Sequence, residues 1–240
     1  MDESESLVRA HLVHCGFKRI VYEPDGNNPP DFLVDDKIAV EVRRLNQNEV
    51  TDSGRLKGLE EDRIPTERKF RQLLRSLGAA SSGTSWFVRY SLRRPLARWK
   101  DIEPELRREL ENFRDDATQQ KVCRIRVAKG FAIEIIHKAS KSHPTCFVYG
   151  GGCDSDTGGF ILAETQKNLR LCVTEKLSRI ARVRHKYPEW WLAFVDRIGY
   201  GVGASDMELF REHLAMDTGF DRVILLSPLD ATWTFEVPSK

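Results

Sequence analysis

Apolar residues recur at helical spacing over residues 4–15, where Val8, Leu12 and Cys15 share a face with Glu5 and Gly16 follows as a stop. The period then shortens. Residues 17–22 read as a strand, 23–30 as a turn-rich loop, and 31–34 and 37–43 as two strands joined through Asp35 and Asp36. Residues 46–55 are polar and irregular. The spacing predicts a helix over 64–77, with Pro65 suited to its first position and Gly78 to its cap.

The middle of the chain alternates in the same way. It gives a strand over 85–90, a charged helix over 99–113, and a hairpin of 122–127 with 131–136 across Ala128-Lys129-Gly130. A glycine-rich stretch over 149–160 interrupts the pattern and reads as a flexible surface turn. A long helix over 163–186 follows, striped by Leu169, Val173, Leu177 and Ile180. A strand over 190–196, a helix over 205–216 and a strand over 222–226 complete the chain. Such alternation predicts an α/β or α+β architecture with helices on a mixed sheet. No repeat or low-complexity linker divides the 240 residues, so one elaborated domain is expected, with its core motifs in 1–90 and a weak seam near 114–121.

Composition narrows the setting. The N-terminus is acidic and lacks an export signal, and no apolar run is long enough for a membrane span, so the expectation is a cytoplasmic protein. Cys15, Cys123, Cys146, Cys153 and Cys172 form no CxxC pair, which argues against a disulfide framework or a zinc ribbon. The 38 basic and 36 acidic residues leave a net charge of +2, too little to indicate a polyanionic partner. Any electrostatic function must be local.

The most informative segment is residues 29–47. In Ile38-Ala39-Val40-Glu41-Val42-Arg43, the two-residue period puts Glu41 and Arg43 on one face and Val40 and Val42 on the other. A three-residue loop of Asp35, Asp36 and Lys37 pairs Val34 with Ile38 and sets Asp31 opposite Glu41. Cross-strand Cβ atoms then lie roughly 4.5–5.5 Å apart. Two carboxylates so close need a proton or a cation between them, and hard oxygen ligands suit Mg2+ or Mn2+. The Val40 carbonyl is a further candidate ligand. Gln47, four residues past Arg43, suits ordering a water or a phosphate oxygen.

Pro30-Asp31 followed by Glu41-x-Arg43 on an apolar strand resembles the PD-(D/E)xK signature of the restriction-endonuclease-like nuclease superfamily. The resemblance covers residues 5–47 and implies a restriction-endonuclease-like core. Asp31 and Glu41 match its metal-binding acids, Glu5 matches a helix-borne acidic residue of many members, and Arg43 stands where lysine is usual. It implies metal-dependent phosphodiester hydrolysis, with Arg43 stabilising charge on the phosphate. Arginine is always protonated and so cannot serve as a base. Another lysine must then reach in, for which Lys69 is a candidate, or metal and substrate phosphate activate the water, or catalysis has been lost.

Local charge points the same way. Residues 167–186 carry seven Lys or Arg against Glu175 alone. Lys176, Arg179, Arg182 and Lys186 there, with Lys69 and Arg71 on the earlier helix, are candidates for contacting a nucleic-acid backbone, expected to be DNA. A homodimer is compatible with this reading. Two other readings stand beside the nuclease: an inactive nuclease-like protein that binds nucleic acid or nucleotide, and a structural partner-binding protein whose acidic pair only forms salt bridges.

Overall fold

The computed structural model describes residues 1–79, 83–115, 121–139 and 143–239. In chain order the elements are α1 (Glu3–His14), β1 (Ile20–Tyr22), β2 (Phe32–Val34), β3 (Ile38–Leu45), β4 (Asn48–Val50), β5 (Leu56–Gly58), α2 (Glu60–Ser76), β6 (Trp86–Leu92) and α3 (Trp99–Asp115). There follow β7 (Cys123–Ala128), β8 (Phe131–Lys138), β9 (Phe147–Asp154), α4 (Ile161–Ile180), β10 (Glu189–Asp196), α5 (Met207–Leu214), β11 (Arg222–Leu226) and β12 (Thr234–Glu236). The architecture is α/β, with a mixed sheet flanked by helices.

The sequence suggests one domain, but the chain packs as two compact units: Met1–Gly58 with Gly158–Lys240, and Leu59–Thr157. The second is an insertion in the first. Of the seam anticipated at 114–121, residues 116–120 lie outside the described residues.

The first unit has a six-stranded sheet in the order β1-β2-β3-β10-β11-β12. Its first three strands are an antiparallel meander; β10 then runs parallel to β3, and β11 parallel to β10. Parallel strands covered on both faces lose their polar alternation, and every residue of β10 after Glu189 is buried. On one face Val8 and Leu12 of α1 pack against Phe32, Val34, Val40 and Val42. On the other, Leu169, Cys172, Val173 and Ile180 of α4 pack over Ala39, Leu45, Leu192 and Phe194. Each such Val, Leu, Ile or Phe side chain, fully buried, contributes roughly 1.5–3 kcal/mol.

The second unit has a four-stranded sheet, β7-β8-β6-β9, with α2 and α3 supplying Phe70, Leu74, Leu106 and Leu110 to its core. Here the glycine-rich stretch departs from expectation. Its first half is strand β9, paired in parallel with β6, with a register shift between Val88 and Arg89. A Cβ on Gly152 would stand 2.3 Å from Cζ of Tyr90, so the neighbouring ring requires glycine there.

Asp154 and Asp156, at the end of this strand, enclose Arg94. Its guanidinium meets both Asp154 oxygens at 2.8 and 3.0 Å, Asp156 at 3.1 Å and the Leu59 carbonyl at 2.6 Å. Arg94 therefore ties the first residue of the insert to its last strand.

Candidate active site

The predicted hairpin register is observed: Val34 pairs with Ile38, Leu33 with Ala39 and Phe32 with Val40. Asp35 and Asp36 turn the chain with φ of 47° and 61°, a region that short polar side chains tolerate. Phe32 and Val34 belong to the α1 face, so alternation turns Asp31 with Glu41 and Arg43 toward α4. β2 begins at Phe32, and just beyond it the Val42 N–H donates to Asp31 Oδ2 at 2.6 Å.

Into this opening α4 inserts Lys176. Its Nζ donates to Glu41 Oε2 at 2.6 Å and lies 3.8 Å from Asp31 Oδ2. Glu41 and Lys176 side chains are 1% and 4% exposed, and Asp31 is 28% exposed. The cluster thus has a sealed floor and one carboxylate reaching solvent. One lysine serves two carboxylates, and Glu41 Oε1 is buried without a hydrogen-bond partner. Burial pushes the Glu41 pKa above the ordinary glutamate range; Lys176 pulls it back, and the charge of Asp31 raises it again.

The abundance of charge on α4 suggests Lys176 as a nucleic-acid contact on a solvated helix face, and its burial corrects that. It lies seven residues after Leu169, three after Val173 and four before Ile180, on the apolar stripe of α4. A cation on an apolar stripe is the signal the sequence carries. Arg179, Arg182 and Lys186 are exposed, with Lys186 bonded to Asp25 at 2.8 Å. Lys69 is exposed on α2 of the second unit, where Arg71 pairs with Glu67 at 2.7 Å and lies over the Tyr149 ring.

The remaining candidates have other partners. Arg43 reaches Glu175 Oε2 at 3.2 Å, and its Nε is buried without a hydrogen-bond partner. Gln47 grips one residue with both amide atoms: Nε2 donates to the Gly158 carbonyl at 3.0 Å and Oε1 accepts from its N–H at 2.9 Å. Glu5 completes the capping box of α1 with Asp2 and accepts from the Tyr22 hydroxyl at 2.9 Å. It belongs to α1, which packs on the opposite sheet face from Glu41. Val40 is flanked by Phe32 of β2 and Trp191 of β10, which places its carbonyl inside the sheet rather than at the opening.

Among the described residues no group of three or more His, Cys, Asp or Glu is arranged to hold a metal. Mg2+ does not require one, because it commonly binds through one or two carboxylates and completes its octahedron with waters and substrate phosphates. No helix among the described residues is long and apolar enough to cross a membrane. The chain matches no protein-family model, no curated protein and no solved structure.

Proposed function

We propose that the first unit is a restriction-endonuclease-like core that hydrolyses phosphodiester bonds of nucleic acid, with DNA as substrate and Mg2+ or Mn2+ as cofactor. The observation that carries this reading is the contact of Lys176 Nζ with Glu41 at 2.6 Å, beside Asp31 at 3.8 Å. The lysine missing after Glu41 in the chain is replaced from a helix. The meander of β1–β3, followed by a helix and a strand parallel to β3, supports the same core.

The donor set fits a divalent ion. Asp31 and Glu41 outnumber the one lysine between them, and the partnerless Glu41 Oε1 is the kind of buried acceptor a cation would satisfy. A metal bound there supplies charge to polarise the scissile phosphate and acidify the attacking water. Asp31, held by the Val42 amide, presents a fixed carboxylate at the solvent side. Lys176, with three donors on a flexible stem, holds Glu41 in place and can pass a proton or bond a phosphate oxygen. Arg43, braced by Glu175, adds positive charge to the same sheet face.

The decisive experiment is a cleavage panel of single- and double-stranded DNA and RNA with Mg2+ or Mn2+, comparing wild type with Glu41→Gln and Lys176→Met. Metal-dependent cleavage lost in both variants, with their folding checked by circular dichroism, supports the proposal. Cleavage indifferent to Glu41→Gln rejects the site. The near-complete burial of Glu41 and Lys176 favours a second reading, an inactive scaffold; DNA binding without cleavage under any metal would select it.

A further inference from the structure

The sheet of the second unit has two unlike faces. Val88, Tyr90, Ile133 and Ile135 point into the core beneath α2 and α3. Alternation sends Arg89, Ser91, Arg124, Arg126, Ala132 and Glu134 the other way. Arg89, Glu134 and Arg124 lie in one row across three strands. Glu134 is engaged by Arg89 at 2.6 Å, which leaves Arg124 without an acidic partner. Among the described residues neither Arg124 nor Arg126 has a hydrogen bond or ion pair, and both are exposed.

These arginines line a groove of about 570 Å³ together with Arg93, Ser91, Gly130 and Ser155, and no acidic residue contributes to its lining. Arg93 is 79% exposed and reaches Asp156 only at 4.0 Å. β7 is the edge strand of its sheet, so Arg124 and Arg126 stand on an accessible margin, roughly 6.8 Å apart along it. Phe131 is the one aromatic residue of the lining and is 2% exposed. A surface with the unpaired guanidinium groups of Arg124 and Arg126, with hydroxyls but no accessible ring, has the chemistry to hold phosphates and lacks a platform for stacking unpaired bases.

We infer that this groove on the inserted unit, centred on Arg93, Arg124 and Arg126, binds the phosphate backbone of duplex DNA without regard to sequence. The inference deepens the proposed function, on which it rests for the identity of the partner, by naming a surface of the second unit that grips the substrate.

The test uses the full chain in EDTA, with fluorescein-labelled duplex DNA titrated over a range of salt. Arg124→Glu with Arg126→Glu should weaken binding at least about tenfold. It should also lower the slope of log affinity against log salt by about 1.8, since each phosphate contact accounts for about 0.9. Arg124→Lys with Arg126→Lys should retain most of the affinity. The control Arg98→Glu with Arg108→Glu makes the same change in net charge on exposed residues of the same unit and should bind nearly as wild type. If circular dichroism shows the double-glutamate variant unfolded, Arg124→Gln with Arg126→Gln takes its place, with the same loss of affinity and slope expected in smaller measure.

Unchanged affinity and slope in the groove variants, equal loss in the control, or tighter binding of single-stranded than of duplex DNA overturns the inference. A protein that cleaves DNA while its duplex binding ignores these arginines rejects the groove alone. Arginine-dependent binding without cleavage rejects the hydrolytic reading alone.

Discussion

Each unit buries a cation between carboxylates, and the two clusters are almost equally sealed. In the first, Glu41, Lys176 and Asp31 are 1%, 4% and 28% exposed; in the second, Asp154, Arg94 and Asp156 are 2%, 8% and 28% exposed. Burial does not distinguish them, but partnering does. The planar fork of Arg94 meets both oxygens of Asp154, an oxygen of Asp156 and a carbonyl, a geometry lysine cannot reproduce. Lys176 is a point charge that leaves one oxygen of Glu41 without a partner and the glutamate pKa raised. In the arginine cluster both oxygens of the buried carboxylate are engaged, which holds the chain together, whereas in the lysine cluster one oxygen of Glu41 is not, and that is where a further ligand gains most.

The largest expected effects come from removing either cation. Arg94→Ala and Lys176→Ala should each destabilise by about 3–5 kcal/mol, because each leaves a buried carboxylate without its counter-ion; chemical denaturation would measure both. Mg2+ sharpens the contrast. It should raise the melting temperature of wild type, fail to do so in Glu41→Gln, and still do so in Asp154→Asn from a lower starting point. A response that vanishes with Asp154→Asn would break the comparison.

The linkage of Glu41 gives a smaller effect with a definite sign. Its folded pKa is raised, so its contribution favours the folded state below the ordinary glutamate range and is lost as pH rises through the folded value. Wild type without metal should therefore lose more stability than Glu41→Gln as pH rises through that window, and Mg2+ should offset the loss near neutral pH. Gly152→Ala should cost about 1–3 kcal/mol through its clash with Tyr90 and leave metal binding unchanged. Smallest is Asp2→Ala, about 1 kcal/mol from the lost α1 cap, with cleavage retained.

The hairpin is legible in the sequence because its rule is local. A three-residue loop and a two-residue period fix the register once Val34 is set against Ile38, and with it the shared face of Asp31 and Glu41. The sheet, its flanking helices and the acidic pair follow from such short-range patterns. Lys176 stands out in the sequence only as a backbone-contact candidate and not as a partner of Glu41, since Glu41 lies 135 residues away and the abundance of charge around Lys176 masks its place on the stripe. The glycines of β9 look like a loop until Tyr90 is beside them. The insertion is hidden for a related reason: its boundaries are set by contacts between distant segments, of which Arg94 with Leu59 and Asp154 is the plainest.

Gln47 has a consequence beyond its own unit's stability. Its two bonds fix Gly158, where the chain rejoins the first unit, while Arg94 fixes Leu59 to the final strand of the second. Each side of the junction thus carries its own fastening, made from residues of that side alone. The insert behaves as a cassette whose leads are already tied, and whole-cassette exchange preserves both ties. Under the proposed function, substrate grip and chemistry would then be free to diverge at separate rates, since arginines could be gained or lost on one unit without changing the carboxylates of the other.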